Sequence, residues 1–131
     1  MKNVFEHTVR STEVDVIGHV HHAKYLEYME WARNGLMDDI GFTLDEMMRR
    51  HTLPVIVSLT INYRRELKMN DSIKVLSWMV KTGTKSFTMR HEVLNPEGEL
   101  ACDAEVILVL IDGQTRKSIE LPDELKRSVE V

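Results

Sequence analysis

A polar, histidine-dense loop running straight into a long two-sided helix, Asp15 to Ile40 (DVIGHVHHAKYLEYMEWARNGLMDDI), constrains this chain more than any other stretch. At about 100° per residue, Tyr25, Met29, Ala32, Leu36 and Ile40 fall on one face, with Leu26 and Met37 widening it. Glu27, Glu30, Asn34 and Asp38 line the opposite face. Such a helix must lay its apolar side on a core. Its first turn carries unpaired backbone N–H groups and the positive end of the dipole. Asp15 stands just upstream, and an acid there is either a cap or half of an active site.

From residue 55 onward the period changes to two. Val55, Val57, Leu59, Ile61 and Tyr63 alternate with Ser58, Thr60, Asn62 and Arg64, which predicts a strand with one apolar face. Met69-Asn70-Asp71 reads as a turn. Ile73 to Lys81 reads as a second strand, Phe87 to Val93 as a third after Thr82-Gly83-Thr84, and Leu100 to Ile111 as a fourth. Asn95-Pro96-Glu97-Gly98 is a strong turn signal between the last two. Upstream, Val4 to Arg10 alternates as a short first strand, and Ser11 to His21 is a loop with Gly18 as its flexible point. Gly41 is a natural stop for the helix. Thr43 with Glu46 forms a capping-box pattern for a short helix over residues 44–50. Pro122 suits the first turn of a final short helix running towards Lys126. Strands joined by hairpin-length turns are antiparallel. The expected fold class is therefore α+β: one five-stranded antiparallel sheet against one long helix, in a single domain over residues 1–131. One helix cannot cover such a sheet, and Trp31 projects near its polar side, so a second subunit is expected.

The composition narrows the function classes. Net charge is −4, so nucleic acid is not the default partner. A single cysteine, Cys102, excludes an intrachain disulfide framework and fits a reducing compartment. The first residues are too polar for a signal peptide, and no apolar run reaches the roughly 20 residues of a membrane span. The expectation is a soluble cytoplasmic protein with no membrane partner.

This element order, with the stretch Thr12 to Tyr25, resembles the hotdog fold, and within it the thioesterase family named after 4-hydroxybenzoyl-CoA thioesterase. The family pattern of an acid, a glycine, a helix-opening His or aromatic and a Tyr falls on Asp15, Gly18, His22 and Tyr25. Glu30-Trp31-Ala32-Arg33 is similar to the family's glutamate-x-alanine-arginine stretch, and Lys85-Ser86-Phe87 to its lysine-serine-phenylalanine. The resemblance implies hydrolysis of an acyl-CoA thioester to a free acid and CoA, without a metal or other cofactor. It implies a homodimer or a homotetramer built as a dimer of dimers, with active sites between subunits. Asp15 would then be the catalytic carboxylate, as nucleophile or as base on water. The backbone N–H at His22 would polarise the thioester carbonyl.

The chemistry suits those residues. Thioester hydrolysis places negative charge on a carbonyl oxygen, and a helix N-terminus offers fixed donors for it. Thiolate is a good leaving group, so a lone carboxylate and a dipole suffice. Glu13 reads as an exposed loop acid, and Tyr25 as a core-face residue beside the substrate. His19, His21 and His22 invite a metal reading, but no HExxH pattern or cysteine cluster completes a site. Candidate cations for the CoA phosphates are Arg64, Arg65, Lys85 and Arg90. Two arginines precede the lysine-serine-phenylalanine stretch in the archetype, and Gly83-Thr84 stand there here. Cys102 reads as a buried small hydrophobe. Two further functions share the fold: hydrolysis of acyl carrier protein thioesters, and a non-catalytic module that binds an acyl ligand.

Overall fold

The apolar stripe becomes α1, Lys24–Ile40, in a computed structural model that describes residues 2–129. Tyr25, Tyr28, Met29, Ala32, Leu36 and Met37 are its buried side chains. Leu26, expected on that face, is exposed instead, because the stripe turns towards Tyr28. Gly41 ends the helix in the left-handed region at φ 93°, and its N–H returns to the Asp38 and Met37 carbonyls. Thr43 then opens α2 (Leu44–Arg49) by accepting from the Glu46 amide. The Glu46 carboxylate does not close the expected box; it pairs with Arg49 and Arg50.

Five strands follow the alternation read from the sequence: β1 (Lys2–Thr8), β2 (Thr52–Tyr63), β3 (Ser72–Thr82), β4 (Ser86–Leu94) and β5 (Leu100–Asp112). They make one antiparallel sheet in the order β1-β3-β4-β5-β2. The β3–β4 and β4–β5 turns are hairpins. The expected hairpin between β2 and β3 is not formed: β2 is an edge strand and pairs only with β5. Residues 64–71 instead cross the end of the sheet. Arg64 and Arg65 donate backbone N–H groups to the Ala101 carbonyl, Leu67 accepts from the Val20 amide, and the Asn70 amide returns to Val9.

The inward rows of β3, β4 and β5 pack on α1 in two clusters. One surrounds the start of the helix, with Tyr25, Tyr28, Met29, Ile73, Val75 and Cys102. The other surrounds its end, with Leu36, Met37, Phe42, Phe87, Met89 and Leu108. Burying each large side chain of this kind contributes roughly 1.5–3 kcal/mol. The C-terminal segment closes the second cluster: α3 (Asp123–Lys126) begins just after Pro122 and seats Leu125, and Arg50, which caps the end of α2, pairs with Glu124 at 2.8 Å. Along β2, by contrast, Leu53, Val55, Ile56, Val57, Leu59 and Tyr63 are all exposed, on both faces of the strand.

Candidate active site

The loop before α1 is a small two-stranded turn. Val14 bridges Val20, the Asp15 amide donates to the His19 carbonyl, and Gly18, at φ 84°, donates to the Asp15 carbonyl. Asp15 is exposed at its head. Its Oδ1 accepts from the amides of Ile17 (3.0 Å) and His19 (3.4 Å). Oδ2 carries no hydrogen bond among the described residues. Val16 and Ile17, next along the loop, are bare apolar side chains in the single chain.

Glu13 anchors this loop, and it is buried at 7% exposure rather than exposed as expected. His7 Nε2–H, the Tyr28 hydroxyl and the Arg10 amide all donate to it. Burial raises its carboxyl pKa, and the hydrogen bonds from Tyr28, His7 and Arg10 outweigh burial, so the net shift is downward. The Glu13 carbonyl also accepts from the His21 amide, tying the far side of the loop. Phe5, His7, Tyr28 and Trp31 stack around this group, so Trp31 is one wall of an aromatic cluster as well as partly exposed.

The start of α1 is open. Ala23 at the N-cap has no side-chain cap, and among the described residues the His22 amide finds no acceptor. The His21 ring accepts from the Ala23 amide at 3.2 Å and stacks on the His22 ring with centroids 4.3 Å apart. The Tyr63 hydroxyl donates to the His22 carbonyl at 2.9 Å, which fixes the peptide from the other side. Tyr25 is buried edge-on to Tyr63 at 5.2 Å, and burial pushes its hydroxyl up to about 12. Beside this opening lies a cleft of about 330 Å³ lined by His19, His22, Tyr25, Tyr63, Arg64 and Arg65.

The cations divide. Arg64 and Arg65 are at the cleft, but Arg64 Nε is bonded to the buried Asp103 and Arg65 is 3.3 Å from Glu99. Arg90 lies on the outer sheet face, paired with Glu92. Lys85 is exposed at the β3–β4 turn, at the end of the sheet opposite His22 in the same chain. His19 bonds Glu66 at 2.7 Å, and no three His, Cys, Asp or Glu side chains among the described residues are placed to hold a metal ion. Cys102 is fully buried, and burial raises its thiol to about 12, so it is inert at neutral pH. Two residues take parts that their sequence positions do not signal. Tyr63 was visible only as a strand residue, and nothing in its spacing marks its bond to His22. Glu13 sits in a polar loop, and its partners Arg10, His7 and Tyr28 come from the loop, β1 and α1, which only the folded chain brings to one point.

A five-stranded antiparallel sheet packed on a 17-residue helix is the hotdog architecture. Residues 9–129 match the thioesterase-like superfamily, and the chain belongs to that family. It is 35% identical over 125 residues to the long-chain acyl-CoA thioesterase FadM of Escherichia coli, covering 93% of this chain and 92% of that one. It is 30% identical over 112 residues to the putative acyl-CoA thioesterase YneP of Bacillus subtilis, covering 86% and 81%. Among solved structures it is similar to DHNA-CoA thioesterase from Staphylococcus aureus, with TM-score 0.86 and 27% identity over 92% of this chain and 80% of that one. It is also similar to the probable thioesterase YbaW from Escherichia coli, with TM-score 0.84 and 29% identity over 98% and 99%. Among the described residues no helix is long and apolar enough to cross a membrane.

Proposed function

We propose that the protein hydrolyses acyl-CoA thioesters at the open start of α1, in a site completed by a second copy of the chain. The observation that carries this is the His22 amide: a donor just before α1, left without an acceptor among the described residues, followed by a peptide whose carbonyl Tyr63 holds; Asp15, on the loop that leads into it, does not line the cleft of the single chain. The thioester carbonyl oxygen accepts from the His22 N–H. As negative charge develops there, the donor and the helix dipole stabilise it, by roughly 3–4 kcal/mol for one such donor. With Asp15 as base, Oδ2 takes a proton from water while hydroxide adds to the carbonyl carbon. The intermediate collapses, the C–S bond breaks, and CoA leaves as thiolate to be protonated. With Asp15 as nucleophile, the same oxygen forms a mixed anhydride that water then opens. A single turnover in heavy-oxygen water that leaves label in Asp15 identifies the anhydride route, with water adding at the Asp15 carboxyl carbon.

The second copy is supported by the apolar edge strand and by the bare Val16 and Ile17 beside the catalytic loop. Two β2 strands pairing about a two-fold axis run antiparallel. The Thr52 end of one copy then lies beside the Tyr63 end of the other, which carries the partner's Lys85 end of the sheet towards this chain's cleft. Arg65 and that lysine supply the phosphate contacts; Arg64 supports them from its pair with Asp103.

A panel of acyl-CoA and acyl carrier protein thioesters assayed for thiol release tests the reading. Asp15→Asn is expected to keep the fold and lose about 100-fold or more in turnover. Near-normal turnover in that variant removes Asp15 from the chemistry, and no release from any ester removes the hydrolase reading.

A further inference from the structure

We propose that the cavity at the far end of α1 receives the acyl chain and selects chains that carry an oxygen acceptor, with Arg33 as the specificity-determining residue. This rests on the thioesterase reading above and adds what the chain must contain.

The cavity holds about 390 Å³, within the usual range for small-molecule sites. Met37, Met47, Leu53, Phe87, Met89 and Leu108 make its walls, with Asn34, Asp38 and Leu44 at the rim. Arg33 is the one cation among the lining residues. Its guanidinium has five donors, and one is committed within the chain, from Nη1 to His91 Nε2 at 3.3 Å. Arginine cannot accept, so His91 Nε2 is the bare nitrogen and Nδ1–H donates to Ser77 Oγ at 2.6 Å. His91 is fully buried; burial first, and then the Arg33 charge, push it down to about 3, so it is neutral and offers no counter-charge. Glu30 acts on Arg33 only through space, and among the described residues no carboxylate, Asp38 included, comes within ion-pair distance. Arg33 is half-buried and lines the cavity, and every sealed polar side-chain atom among the described residues has a partner, so the spare N–H groups of Arg33 are not sealed in the core.

The result is a cation in the lining of an apolar cavity, tethered at one nitrogen through His91 to Ser77 and with donors to spare. A methyl-ended chain would cover that cation and leave it unpartnered. A chain with a hydroxyl, keto or carboxylate oxygen at that depth receives a charge-assisted hydrogen bond. The distance fits a shared site. Within one chain the helix separates His22 from Met37 by about 22 Å. Across paired β2 strands, however, Leu53 at the cavity wall stands beside Tyr63 at the other copy's cleft.

The experiment compares kcat/KM for CoA esters matched in chain length and ending in methyl, hydroxyl or carboxylate, with the wild-type protein, Arg33→Met and Arg33→Lys. The wild type is expected to favour an oxygenated ester by about tenfold or more at the chain length that reaches Arg33. Arg33→Met is expected to reverse the order, and Arg33→Lys, which keeps charge but not the fork, to narrow the ratio. A wild-type preference for methyl-ended chains at every length overturns the proposal whether or not either variant folds. So does an undiminished preference in the variants. Hydrolysis of the methyl-ended series with no oxygen preference sinks this inference alone, whereas hydrolysis of none of the esters sinks the thioesterase reading beneath it.

Discussion

Asp15 and Glu13 show how two acids two residues apart take opposite roles. Asp15 is exposed, with one oxygen held by its own turn and one free; Glu13 is buried and saturated with donors. The position of Asp15 in a family pattern made it legible in the sequence. The role of Glu13 depends on His7 and Tyr28, which only the folded chain brings to it. Glu13→Gln is expected to lose roughly 1–3 kcal/mol at neutral pH, read from the urea midpoint, because Tyr28 and His7 keep donors that the amide satisfies less well. The pH dependence follows from the lowered carboxyl pKa. The native carboxylate holds fewer protons than the unfolded one below the ordinary value of 4.5, so its stabilisation is complete above that pH and is lost as pH falls through the lower native value. The variant should therefore show a shallower fall in stability below about pH 4.5 than the wild type; equal slopes would mean that Glu13 is not the linked group.

The elements were legible where local chemistry decides them. Gly41 stops α1 as its residue type suggested, in a conformation that other residues adopt at a cost. A Cβ there would meet nothing within 4 Å, so Gly41→Ala should cost only the backbone term, about 1 kcal/mol, seen as a lowered thermal midpoint with activity retained. Strand positions were equally readable from alternation in β3, β4 and β5. Strand neighbours were not. Met69-Asn70-Asp71 has the chemistry of a tight turn, yet its surroundings route the chain across the sheet end, with Leu67 accepting from Val20 and Asn70 returning to Val9. Turn residues specify that the chain bends and say nothing of which strand it meets next. β2, apolar in sequence, was expected to bury one face, and in the single chain only its ends are covered, with Thr52 buried and Ile61 packed on the first cluster, while Val55 to Leu59 stay exposed. Val57→Glu is expected to place like charges across a paired edge and to lower both apparent mass by size exclusion and specific activity. Full activity in a monomeric variant would break the shared-site reading.

For the whole molecule, α1 acts as a spine with the open amide end in one core cluster and the cavity in the other. The open amide end and the cavity of one chain are thus held apart by the helix between them. Stability should accordingly rise with protein concentration, since association favours the folded state. Arg65, the proposed phosphate contact, is exposed and paired with Glu99, so Arg65→Ala should raise KM for CoA esters several-fold at low salt, with the difference shrinking as ionic strength rises.

The exposed edge of β2 has a genetic consequence. A protein crippled at Asp15 and another with its cavity plugged, for instance Met47→Trp, would each be poor alone. Mixed and allowed to exchange partners, they would form mixed pairs in which one catalytic opening carries both lesions and the other carries neither. Random pairing would return about a quarter of all openings to working order, so two damaged alleles expressed together would complement one another.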